Sequence, residues 1–166
     1  PGDEGKARKA RSEPVLDKPI TSELGNVTPV ILVPGRWSRR EMRLQARRVA
    51  TQMVQNDGFN CMATKVIITS SHWAQRDEFF AELRRVLLSL PERPAYYPGA
   101  EERFDRFAAA HDRVELLGPR RPGIVPPALI EDVNPEFDHL AFSEEAFCSL
   151  AATTERAGIA KDLAPH

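Results

Sequence analysis

Apolar residues recur along this chain in two rhythms, short unbroken runs and stripes at helical spacing. The run "PVILV", residues 29–33, is bounded by Pro29 and by Pro34 and Gly35, and it predicts a first strand. A helix is expected to start at Ser38, whose hydroxyl can cap the first turn while Glu41 reaches back in an S-x-x-E capping box. Met42, Ala46, Val49, Ala50 and Met53 then fall on one buried face. Asn56, Asp57 and Gly58 end that helix, with Gly58 suited to a left-handed C-terminal position. A second strand is expected over residues 65–69. The stripe Phe79, Phe80, Leu83, Val86, Leu87 and Leu90 follows and reads as core.

Beyond "PERPAYYPG" a shorter helical pattern runs through "AEERFDRFAAAHD". Two strand-like stretches, "RVELLG" and "PALIEDV", flank the turn "PRRPG", and "EEAFCSLAATT" looks like one more strand entering from a loop. Strands alternating with helices predict an α/β layer fold with a largely parallel sheet. Residues 1–20 are charged and punctuated by Pro and Gly, so they are expected to form an exposed N-terminal arm ahead of a domain over 21–166.

The bulk numbers narrow the function. The 166 residues suffice for one domain with a real core. Lys and Arg (23) nearly cancel Asp and Glu (24), which argues against a nucleic-acid or acidic-membrane partner. The basic stretches "RWSRREMRLQARR" and "GPRRPG" are expected to be a solvated helix face and loop. No apolar run is long enough to span a membrane, and no signal peptide is read at the start. Two cysteines make no disulfide framework, so a reducing cytoplasm is expected. The chain has neither a G-x-G-x-x-G nor a P-loop, and no histidine pair at metal-ligand spacing.

One cysteine stands out. Cys61 follows Gly58 in "NDGFNC", at the joint between a helix and a strand. A small buried space-filler is one reading of it. The other is a nucleophile, a thiol held on a loop at the open edge of a sheet, where nearby N–H groups or a base favour the thiolate. Two further stretches bear on the choice. "KPITSELGNVTPVILV" carries Glu23 in a Gly-containing turn before a strand, and "SEEAFCSL" carries two acids before an aromatic. In order and rough separation these three resemble the catalytic half of the aldehyde dehydrogenase superfamily. Its patterns there are Glu-Leu-Gly-Gly-Lys-x-Pro, Asn-x-Gly-Gln-x-Cys and Glu-x-Phe-Gly-Pro. The resemblance runs from about Lys18 onward, and "RPAYYPGAEERF", "GIVPPALIEDVN" and "HLAFSEEAF" are similar to longer bacterial members.

The resemblance implies a three-layer α/β domain, a mostly parallel sheet with helices on both faces. It implies that Cys61 attacks an aldehyde carbonyl to form a thiohemiacetal, and that Glu23 is the general base for the deacylating water. Glu145 matches the acid that hydrogen-bonds the nicotinamide ribose of NAD or NADP, and Phe147 the aromatic beside the nicotinamide. Glu144 is the competing register, but the E-x-F spacing selects Glu145. The pattern is not complete. Phe59 stands where the family has Gln, Asn26 and Val27 replace Gly-Lys, and Cys148 and Ser149 replace Gly-Pro. Cys148 is expected to be structural.

The family's oxyanion-holding Asn and most of its NAD(P) contacts lie in a cofactor-binding half that this sequence does not show. The chain is therefore expected to be part of a longer enzyme, inactive by itself, whose parent oxidises a small-molecule aldehyde and associates as a dimer or tetramer. Two other classes remain open. One is a cofactor-independent cysteine hydrolase or acyltransferase pairing Cys61 with His72, His111, His139 or His166; of these, His72 reads more simply as a capping or surface residue. The other is a catalytically silent interaction module.

Overall fold

The computed structural model describes residues 2–16, 18–19, 21, 25–134, 136 and 140–157. Their elements are α1 (Asp3–Ala10), β1 (Thr28–Ile31), α2 (Arg39–Val54), β2 (Thr64–Ser70), α3 (Arg76–Leu88), α4 (Ala100–Ala109), β3 (Val114–Leu116), β4 (Ala128–Ile130), α5 (Leu140–Ser143) and β5 (Leu150–Arg156). The five strands form one sheet in the order β1-β2-β5-β4-β3. β1, β2, β5 and β4 run parallel, and only β3 is antiparallel, against β4. This is the mostly parallel α/β sheet that the strand–helix alternation predicts.

Side-chain alternation along the central strands builds two cores. Ile67, Leu129 and Ala151 face α2 and α3, where they meet Met53, Phe79, Leu83 and Leu87. Ala128, Ile130, Leu150 and Ala152 face the other way, onto Phe104 and Phe107 of α4 and Ala141 of α5. Register keeps the two sets apart, because Leu129 pairs with Ala151 while Ala128 pairs with Leu150. Helices therefore cover both faces. β2 is buried along nearly its whole length, as a central parallel strand requires. β1 is an edge strand, which accommodates the missing N–H of Pro29 and a register shift between Thr28 and Pro29.

The helix read from Ser38 is present as expected. Ser38 accepts from the Glu41 N–H and Glu41 accepts from the Ser38 N–H, and the five stripe residues are its buried positions. Three features differ from the expectations. Residues 3–10 of the arm form a helix, α1, with no buried residue; Asp3 and Glu4 at its start and Arg8 and Lys9 at its end complement its dipole. α5 is a further short helix ahead of β5. Arg120 of "GPRRPG" is not simply solvated, since it is largely shielded and pairs with Glu101 and Asp105 of α4. Among the described residues no helix is long and apolar enough to cross a membrane.

Candidate active site

The joint between α2 and β2 is built from three successive left-handed residues, Asn56, Asp57 and Gly58. Asn tolerates that conformation best when its side chain bonds locally. Here the Asn56 amide donates to the Phe59 carbonyl at 3.1 Å and accepts from the Tyr96 hydroxyl at 3.0 Å. Gly58 is needed for space as well as for its φ of +73°. A Cβ there would overlap the Cys148 carbonyl and lie 2.6 Å from the Ser149 nitrogen. The loop thus packs directly on the segment that leads into β5.

Residues 60–63 then make a turn, closed by the Ala63 N–H on the Asn60 carbonyl at 2.9 Å, with the Asn60 side chain accepting from the Met62 N–H at 2.8 Å. Cys61 occupies the exposed corner of this turn, just before β2. Its carbonyl accepts from the Thr28 hydroxyl at 2.8 Å. That hydroxyl accepts from the Asn26 amide at 3.1 Å, and the Asn26 N–H donates to Glu145 Oε2 at 3.2 Å. Cys61 and Glu145, 84 positions apart in the numbering, are therefore joined by two residues of the segment before β1. All of them lie at the starting ends of parallel strands, not at the carboxyl ends where open α/β sheets usually bind ligands.

Glu145 and Phe147 line a cleft of about 770 Å³ with Gly25, Asn26, Tyr97 and Arg103 among its other walls. The second oxygen of Glu145 is buried and bonds to nothing in the described residues. Its neighbour Glu144 is committed elsewhere, in an ion pair with Arg106 at 2.5 Å. Glu23 lies outside the described residues; Gly25 and Asn26, which follow it closely, are in the cleft wall.

Two of the unusual residues of the three motifs, Phe59 and Cys148, are core positions. Phe59 is buried and packs against Tyr96, Tyr97 and Phe147, with ring centroids 5.0, 5.6 and 5.9 Å away. A phenyl at this position and the "YY" pair form one aromatic cluster. Cys148 is buried, and loss of solvent raises its thiol to about 11, against the smaller opposing pull of Lys65 and Arg103. It is a protonated core thiol at neutral pH.

Besides Thr28, two residues of this candidate site were not singled out from the sequence. Lys65 is only 3% exposed, yet its ammonium donates to the Gly58 carbonyl at 2.9 Å and the Cys148 carbonyl at 2.7 Å. It ties the cysteine loop to the β5 approach, and burial lowers its pKa. Its only signal is a lysine opening an apolar strand run. Arg103 looks like one more charged position of α4, and nothing local distinguishes it.

The histidine pairing is not formed among the described residues. His72 follows the far end of β2, whose seven residues span roughly 20 Å at 3.3 Å each. His111 lies at the end of α4, with Nδ1 2.6 Å from the Phe107 carbonyl. His139 and His166 are outside the described residues. No group of three His, Cys, Asp or Glu that could hold a metal occurs among the described residues.

No family model and no curated protein matches this sequence. Solved structures do match its fold. An NADP-dependent glyceraldehyde-3-phosphate dehydrogenase from Bacillus halodurans C-125 superposes with a TM-score of 0.70 at 18% identity, over 91% of this chain and 33% of that one. Aldehyde dehydrogenase 21 from Physcomitrella patens gives 0.69 at 18% identity, over 92% and 33%. An NAD-dependent benzaldehyde dehydrogenase from Corynebacterium glutamicum gives 0.68 at 18% identity, over 93% and 36%. The chain spans about a third of the length of these proteins, and over that third its fold is that of the aldehyde dehydrogenases.

Proposed function

We propose that the chain is the nucleophile-bearing part of an NAD(P)-dependent aldehyde dehydrogenase. The observation that carries the reading is the hydrogen-bonded path from the Cys61 turn through Thr28 and Asn26 to Glu145. It brings two of the expected site residues to one sheet edge within an aldehyde dehydrogenase fold.

In this reading the Cys61 thiolate adds to the aldehyde carbonyl, and the carbonyl oxygen takes the negative charge. The Cys61 N–H donates to that oxyanion, with the second donor coming from elsewhere in a longer protein. The residues fit the cofactor: an unbonded carboxylate oxygen on Glu145 suits ribose hydroxyls, and Phe147 offers a flat apolar face. NAD(P), when bound, supplies the hydride acceptor that carries the thiohemiacetal to a thioester. Glu23 then takes a proton from the water that attacks the thioester, which frees the acid and restores Cys61. Because only Glu145 and Phe147 are assigned to the cofactor here, the chain alone is proposed not to turn over aldehyde.

Acyl transfer tests the nucleophile and the base without hydride chemistry. With p-nitrophenyl acetate we expect a burst of one nitrophenolate per chain and a 42-Da acetyl mass on Cys61 (about, from the acyl group added). Cys61→Ala should abolish the burst, while Glu23→Gln should keep it and slow the later phase by about 10²-fold or more. Acetyl on Cys148, or a burst that survives Cys61→Ala, would sink the assignment.

A further inference from the structure

The cleft beside Glu145 holds a cation that the proposed chemistry does not use. Arg103 lies over the rings of Tyr97 and Phe147, its guanidinium carbon 5.7 and 5.8 Å from their centroids. Its Nη1 donates to the Pro98 carbonyl at 3.1 Å, but Nε and Nη2 are buried and bond to nothing in the described residues. No acid of the described residues forms an ion pair with it. Among the described residues the surrounding charge is also unbalanced. Lys65 lies close enough to Arg103 and to Glu145 for each to act on its charge. Glu144 is neutralised by Arg106, and Cys148 is a neutral thiol. Among the described residues, two cations therefore face a single carboxylate without an ion pair, and that carboxylate keeps one oxygen unbonded.

Unsatisfied buried charge of this kind costs stability unless a ligand completes it. The cleft asks for three things at once. The free oxygen of Glu145 needs a hydroxyl donor, the rings of Tyr97 and Phe147 suit a flat ring, and the guanidinium edge of Arg103 matches an anion that can accept two parallel N–H bonds. A carboxylate would meet only the last. A ribosyl phosphate carrying a flat base meets all three, and ≈ 770 Å³ is ample for it. Building on the cofactor reading above, we propose that Arg103 is a phosphate-binding residue, holding the phosphate next to the ribose that Glu145 takes. The cleft then recognises a nicotinamide ribosyl phosphate as a unit, with both positioning arms supplied by this chain.

The test is a titration of the whole ¹⁵N-labelled chain with nicotinamide mononucleotide, nicotinamide riboside and inorganic phosphate. It reads the Arg103 Nε resonance and the backbone amides of Asn26, Glu145 and Phe147. We expect the mononucleotide to shift Arg103 Nε and the Asn26 and Glu145 amides together. The riboside should bind about tenfold more weakly, the weight of one charge-assisted pair. Arg103→Gln should bring the mononucleotide down to the riboside's affinity and leave the riboside unchanged. Arg103→Lys should recover part of the loss, and the unperturbed riboside response certifies that each variant is folded. Equal affinities for mononucleotide and riboside in the native chain would overturn the role of Arg103 and leave the cofactor reading standing. Binding of neither would overturn both. Inorganic phosphate moving Arg103 as strongly as the mononucleotide would overturn the proposal in favour of an unspecific anion contact.

Discussion

At the scale of single residues, burial separates the two cysteines. Cys61 sits on an exposed turn, whereas Cys148 is packed beneath the approach to β5 with its thiol raised to about 11. That shift carries a stability consequence whose sign is fixed. The thiol's ordinary value is 9.0, so between about pH 9 and 11 the unfolded chain releases a proton that the folded chain keeps. The folded state binds more protons in that window, and its stability falls as pH rises through it, by about 2–3 kcal/mol for a two-unit shift. Lys65 acts oppositely, because a lowered ammonium pKa makes stability rise toward the ordinary value of 10.5. The two are separable by mutation. In urea titrations, the native chain minus Cys148→Ala should show the full thiol loss between pH 9 and 11 and no slope below pH 8. A difference that is flat across pH 9 to 11 would contradict the burial account of Cys148.

At the scale of elements, legibility followed how local the determining forces are. α2 could be read residue by residue, since a capping box and a helical stripe are encoded within sixteen positions. Its cap should behave as such boxes do: Ser38→Ala is expected to cost about 1 kcal/mol in urea unfolding, with the m-value unchanged. A change below the error of the midpoint would mean that the 2.8 Å bond between the Ser38 N–H and Glu41 carries the cap alone. The site was legible only in part. Cys61, Glu145 and Phe147 stood out through motif spacing, and Gly58 through turn chemistry. Lys65, Arg103 and Thr28 did not, because what distinguishes them is a tertiary partner. A lysine in "TKVIIT" becomes a staple only when the Gly58 and Cys148 carbonyls converge on it. Phe59 read as a departure from a pattern, and its explanation in Tyr96, Tyr97 and Phe147 is spread over some 90 positions.

At the scale of the molecule, the parallel sheet collects the candidate site residues at one edge. β1, β2 and β5 all begin there, so the turns before each strand deliver Asn26, Cys61 and Glu145 to neighbouring positions. The long β2 keeps His72 at the opposite edge, which weighs against a hydrolase that pairs Cys61 with His72. The central claim is that Cys61, at this edge, is the nucleophile. The most direct measurement is the rate of iodoacetamide alkylation at Cys61 and at Cys148 across pH 5 to 10, read by mass spectrometry, with Glu23→Gln as control. The account expects Cys61 to react far faster than Cys148, in the native chain and in Glu23→Gln alike. Alkylation of Cys61 no faster than an ordinary exposed thiol would contradict it and favour a catalytically silent module.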